Sequence, residues 1–93
     1  MEKFVTIIEQ CPVVARNYTA HDGTQKSFYS KGFILTDGID EFYAEMTGEM
    51  AREASDYDMT LMHRMQGYIR QRSFTDKNGQ TRYKNQIIIT RMH

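Results

Sequence analysis

The sequence predicts a mainly β-class domain: five strands closed into a small barrel, with one short helix between the third and fourth strands. Three observations carry this expectation. Phe42, Ala44 and Met46 alternate with Glu41, Tyr43 and Glu45, the period-two pattern of a strand with one buried face. Asp22-Gly23, Asp37-Gly38 and Asn78-Gly79 are turn signals that separate the apolar segments. A single helix-forming stretch, residues 49–55, breaks the strand pattern, with Met50, Ala51 and Ala54 spaced for one face.

In chain order, residues 4–15 are rich in β-branched side chains and read as the first strand. Pro12 cannot donate to a sheet ladder, so it marks an edge or a bulge there. The Asp22-Gly23 turn leads to a second strand over residues 27–36, and Asp37-Gly38 turns the chain into the third, residues 41–47. After the helix, about two turns long and too short for a bundle element, a long fourth strand is expected over residues 59–73. It has Gly67 in its interior, where glycine permits a bulge or a sharp bend. Asn78-Gly79 is expected to close a hairpin, because both residues tolerate positive φ. The final strand, residues 81–91, holds Ile87-Ile88-Ile89. Five strands with a helix after the third is the layout of an OB-fold barrel, one domain spanning residues 1–93.

The bulk composition sets limits. Ninety-three residues, 40% hydrophobic and 26% charged, suit one globular domain with a modest core, which oligomerisation would supplement. No apolar run approaches the roughly 18 residues of a membrane span. The opening residues MEKFVTIIEQ are not expected to be a signal peptide. Cys11 is the one cysteine, so no internal disulfide forms, and a reducing, cytoplasmic setting is expected. His21, His63 and His93 form no metal-ligand spacing with Cys11, and His63 is expected to be a packed or surface residue of its strand and not a ligand. No phosphate-cradling glycine loop or nucleophile–base arrangement is readable, so neither a cofactor nor an enzyme is expected.

Formal charge is zero, with 12 cations and 12 anions, but the halves differ. Residues 61–93 hold seven cations against Asp76 alone, a net of +6, whereas residues 1–60 hold five cations against eleven anions, a net of −6. Such asymmetry concerns partners rather than fold, unless the acidic half neutralises the basic half in space.

The segment GEMAREASDY at residues 48–57, followed by MQGYIRQRSFTDKNGQTRY at residues 65–83, resembles the C-terminal half of the bacterial single-stranded DNA-binding proteins. In that family a glycine and a short alanine-rich helix precede a strand of the form G-x-L-R-x-R. An aromatic, an acidic turn ending in Gly and a strand opening with R-Y then follow. The resemblance covers roughly residues 41–92. It implies an OB-fold that binds single-stranded DNA, as in DNA replication, with Arg70, Arg72 and Phe74 on the family's strand-four positions and Phe74 on a base-stacking aromatic. Arg82 and Tyr83 match the start of the last strand. Departures stand beside this. Glu41 and Thr47 occupy the positions of DNA-facing aromatics, Tyr43 shares their face, and Glu45 beside it would repel phosphate. The family's acidic, partner-binding tail has no counterpart in this sequence, which weakens any expectation of partner recruitment through it.

Binding single strands without sequence preference needs cations for phosphates and flat rings for bases. Strand periodicity puts Tyr68, Arg70, Arg72 and Phe74 on one face, with Met65, Gly67 and Ile69 on the opposite, core face. Lys77 at the turn, with Arg82 and Lys84 on the return strand, extends a cationic rim. With Tyr43, these eight residues form the expected site. Tyr83 reads as a core or contact residue. Tyr18, Phe28, Tyr29 and Phe33 read as core or hairpin packing with one ring free to stack, and Arg16 and Lys31 as surface cations with no role assigned. The expected partner is single-stranded DNA, with no membrane partner, and the expected assembly is a homo-oligomer, a dimer or tetramer. The rivals are an OB module that docks a protein through a Met-rich or strand surface, and an RNA-binding OB domain.

Overall fold

The computed structural model describes residues 1–93. Its elements are β1 (Glu2–Gln10), β2 (Val14–Thr19), β3 (Gln25–Thr36), β4 (Glu41–Thr47), α1 (Gly48–Glu53), β5 (Met62–Thr75) and β6 (Thr81–Met92). The sheet runs β1-β5-β6-β4-β3-β2, and a further β1–β3 pairing closes β1, β5, β6, β4 and β3 into a ring. All these pairings are antiparallel except β4–β6, which is parallel through Ala44↔Ile87 and Glu45↔Ile88. The protein is thus a mainly β domain of the OB barrel type, with one short helix before β5.

Five strands close the ring as expected, and a sixth, β2, is added by a break the sequence reading did not place. Residues 4–15 are not one strand. Cys11-Pro12-Val13 interrupts them, because proline lacks the N–H that a ladder needs. Val14–Thr19 then pairs back on Gln25–Ser30 as a hairpin arm that leaves the barrel. The second arm is the far half of β5 and β6, beyond their last contacts with β1 at Gln66 and with β4 at Ile87 and Ile88. The expected start of the fourth strand also moves from residue 59 to Met62.

Both arms end in the same device. Gly23 donates to the Ala20 carbonyl and Gly79 to the Asp76 carbonyl, each closing a type I turn. Each glycine has positive φ, +83° and +77°, and the next pair, Ala20 N–H to Thr24 O and Asp76 N–H to Gln80 O, is 2.9 Å in both arms. Asn78, although it tolerates positive φ, does not adopt it; only glycines do so in this chain. The Asp76 carboxylate instead accepts from the Asn78 and Gln80 N–H groups and from Arg82, which holds it below the usual carboxylate range.

The core lies inside the ring: Val5, Ile7, Phe33, Leu35, Ala44, Met46, Met65, Ile89 and Met92, with Ala51 of α1 closing one end. The alternation expected in β4 is realised, with Ala44 and Met46 buried and Phe42 packed against the core. A fully buried side chain of this size contributes about 1.5–3 kcal/mol, so Phe33, Leu35, Met46 and Met65 dominate. A bulge at Thr90 lets Ile89 and Met92 both point inward, as the pairing passes from Gly67↔Ile89 to Gln66↔Arg91. Ile69, expected in the core, is 62% exposed. Its alternation is right, but it lies past the barrel rim, where β1 no longer covers β5.

Lys31 is a second correction, 2% exposed rather than on the surface. It lies on the inward face opposite Met46, and its Nζ donates to the Cys11 carbonyl at 2.8 Å and to Asp56 Oδ1 at 2.9 Å. The lysine pins the segment after α1 to the break between β1 and β2. Gln10 adds to this by accepting from the Tyr57 N–H and donating to its carbonyl. Lys31→Met, close in volume, is expected to destabilise the fold by about 1–3 kcal/mol, because the Cys11 carbonyl loses its donor. Asp56, 77% exposed, stays solvated and adds little. A thermal melt with an unchanged or higher midpoint would show that the lysine has no such role. Of the two places open to His63, packed or at the surface, the structure takes the packed one. Its ring meets Tyr57 edge-on at 5.4 Å and reaches the carbonyls of Asp58 and His93.

Candidate nucleic-acid interface

Cross-strand partners in a sheet point to the same side. On the outer face of the long hairpin this pairs Tyr68 with Ile88, Arg70 with Gln86, Arg72 with Lys84 and Phe74 with Arg82. The expected one-sided set Tyr68, Arg70, Arg72 and Phe74 is therefore assembled by the observed register. Neither ring is interred: Tyr68 is 46% exposed and Phe74 50%. The same face continues across Ile88↔Glu45 into β4, across Glu45↔Gly32 into β3, and across Phe28↔Arg16 into the short arm.

Between the two arms lies a cavity of 150 Å³ lined by Arg16, Phe28, Ser30, Glu45, Arg70, Arg72 and Gln86. Three guanidiniums thus meet in one groove, and none of them makes an ion pair. The five ion pairs lie elsewhere: Lys3–Asp37, Lys31–Asp56, Arg52–Glu49, Arg64–Glu2 and Arg82–Asp76. The acidic half therefore does not pair with the groove arginines. Glu45 is the one carboxylate lining the groove, and Gln86 Nε2 donates to it at 3.3 Å.

The remaining expected residues divide. Tyr43 and Lys84 line a neighbouring 350 Å³ cavity at the barrel mouth, with Phe42, Ile69 and Ile87. Tyr43 lies across Gly32, where its ring occupies the space that a Cβ would need. Burial pushes its phenol above the ordinary value, and the Glu45 carboxylate adds to the shift. Phe74 and Lys77 stand exposed toward the arm tip, outside the groove lining. Arg82 is a correction to the cationic rim, because its Nε donates to Asp76 Oδ2 at 2.7 Å and its charge is locally matched. Tyr83 points to the opposite side, opposite Ser73, and is exposed rather than in the core.

The sequence reading left Arg16 and Phe28 undecided, and the structure puts both in the groove. The available signal was the Asp22-Gly23 turn: a hairpin folded about it places Arg16 opposite Phe28. Of the other three rings, Phe33 is core, Tyr29 packs against it, and Tyr18 is exposed on the arm.

Fold and groove together define a class: a small closed β-barrel of OB type with a basic cleft between two hairpin arms. No protein-family model matches the chain, and no curated protein matches it.

Proposed function

We propose that this protein binds single-stranded nucleic acid, DNA in the first instance, in the groove between its two arms. The observation that carries this is the meeting of Arg16, Arg70 and Arg72, none of them in an ion pair, beside the Phe28 ring. Guanidiniums without internal partners track backbone phosphates, and exposed rings stack bases. In an OB barrel the open face and the loops flanking it take up such ligands, and the arms here are enlarged forms of those loops. The resemblance of residues 41–92 to single-stranded DNA-binding proteins points the same way. Tyr68, Phe74, Lys77 and Lys84 extend the path along the long arm. The setting proposed is cytoplasmic; no helix of the chain is long and apolar enough to cross a membrane.

Fluorescence anisotropy with labelled dT and rU oligomers over a salt series tests this proposal. Three phosphates neutralised by three guanidiniums give a slope of log K against log salt of about −2, at roughly −0.7 per phosphate. No binding of either polymer at low salt would remove the proposal, and tighter rU binding would move it to RNA. Phe74→Ala is expected to weaken dT binding by about 1–3 kcal/mol if the ring stacks a base. An unchanged Kd in a folded variant would return Phe74 to a packing role.

A second reading has its own observation. Phe4, Leu61 and Met62 are all exposed, Phe4 and Met62 on the outer surface where β1 pairs with β5. Apolar surface of this kind suits a protein contact, including the self-association into a dimer or tetramer proposed here. Light scattering that gives a monomer at high concentration would exclude self-association.

A further inference from the structure

The groove floor holds hydrogen-bonding capacity that phosphate binding does not use. Arg70 Nε and Gln86 Oε1 are both buried, and neither has a partner. They belong to directly opposed residues of β5 and β6. Because Gln86 donates through Nε2 to Glu45 Oε1, its amide orientation is fixed and Oε1 remains an acceptor. A buried polar atom left unmatched is costly, and such atoms in a site mark where a ligand completes the set.

Arg70, Gln86 and Glu45 line one cavity of 150 Å³ beside the Phe28 ring. A phosphate satisfies half of them at best: it accepts from Arg70, offers no hydrogen to Gln86 Oε1, and is repelled by Glu45. The complement is a flat edge carrying one acceptor beside two N–H donors. Thymine and uracil have one N–H on that edge, and adenine and cytosine have one amino group. Guanine alone presents O6 next to N1–H and the N2 amino group.

The geometry points to a guanine-selective subsite within the single-strand groove. Glu45 and Gln86 Oε1 accept from N1–H and the N2 amino group, Arg70 donates to O6, and Phe28 stacks on the ring. Arg70 turns from phosphate to base when guanine is bound, and Arg16 and Arg72 hold the flanking phosphates. The subsite rests on the single-strand proposal and adds sequence preference to it. It also gives Glu45, the residue least suited to a phosphate groove, a role as a base reader.

The test uses dT oligomers of about eight nucleotides, within the span one OB barrel covers, with a single central dG, dA, dC or deoxyinosine. The dG oligomer is expected to bind about tenfold more tightly than all-dT, the usual discrimination of a bidentate base contact. Deoxyinosine, which lacks the N2 amino group, is expected to lose most of that gain. Glu45→Ala is expected to abolish the preference for dG over all-dT, with thermal melting confirming that it folds. Equal affinity for all the oligomers, or a preference for dC, overturns the guanine subsite and leaves single-strand binding standing. No binding to any oligomer overturns both. Free dGMP that competes as well as the dG oligomer overturns the strand-borne form of the ligand.

Discussion

Gly67→Ala is expected to cost about 3 kcal/mol or more, the largest stability effect of any single methyl group added to this chain. Gly67 is buried in β5 next to the bulge, opposite Ile89. A Cβ there would overlap the Ile88 carbonyl oxygen and stand 3.2 Å from its carbonyl carbon. Both are backbone atoms of the strand that closes the ring, so relief requires β5 and β6 to part. In a domain of this size each kcal/mol moves the thermal midpoint by about 4–8 °C, so a fall of about 12 °C or more is expected. Gly32→Ala is the informative contrast. Its new methyl would meet the Tyr43 ring, with the hydroxyl nearest, and the ring can swing outward with little strain. A Gly67→Ala midpoint within about 4 °C of the unaltered protein would show that the bulge at Thr90 absorbs the change.

Arg72→Glu is expected to give the largest loss of binding. A charge-assisted hydrogen bond to phosphate is worth about 1.5–3 kcal/mol, which is roughly a tenfold to hundredfold change in Kd. Reversal adds repulsion, because the new carboxylate faces the same cavity as Glu45. The residue is exposed and unpaired, so folding should be unaffected. The anisotropy salt series supplies the check: affinity for dT falls, and the slope becomes shallower by roughly 0.7 for the lost phosphate contact. Arg82→Glu is the matched control. Arg82 already neutralises Asp76 at the arm tip, so its reversal is expected to change binding far less. If the two reversals weaken binding equally, the ligand follows the general positive field and not the groove.

How far the sequence reached differs by element. The β4 pattern was legible because one face is buried against the core and the other is not, which writes the alternation into the residue types. The one-sided set on β5 was legible for the same reason of period two. Ile69 obeyed that period and still proved exposed, because burial depends on how far β1 and β4 extend alongside, which no local pattern records. Lys31 shares the inward face of Phe33 and Leu35, but its acceptor carbonyl lies 20 residues away and its carboxylate 25. A lysine without a visible partner reads as solvated. The short arm hid behind the β-branched run before it, where a proline bulge and a strand break look alike in sequence.

The chain's own residues determined the strand and helix types, the turns at both arm tips, and which side chains of β5 share a face. Those are short-range matters of backbone sterics, hydrogen-bond donors and side-chain periodicity. Only the tertiary structure decided that Arg16 and Phe28 come to lie beside Arg70 and Arg72, and that Glu45 and Gln86 face one another at the groove floor. These depend on ring closure, which sets strands from opposite ends of the sequence edge to edge in one register.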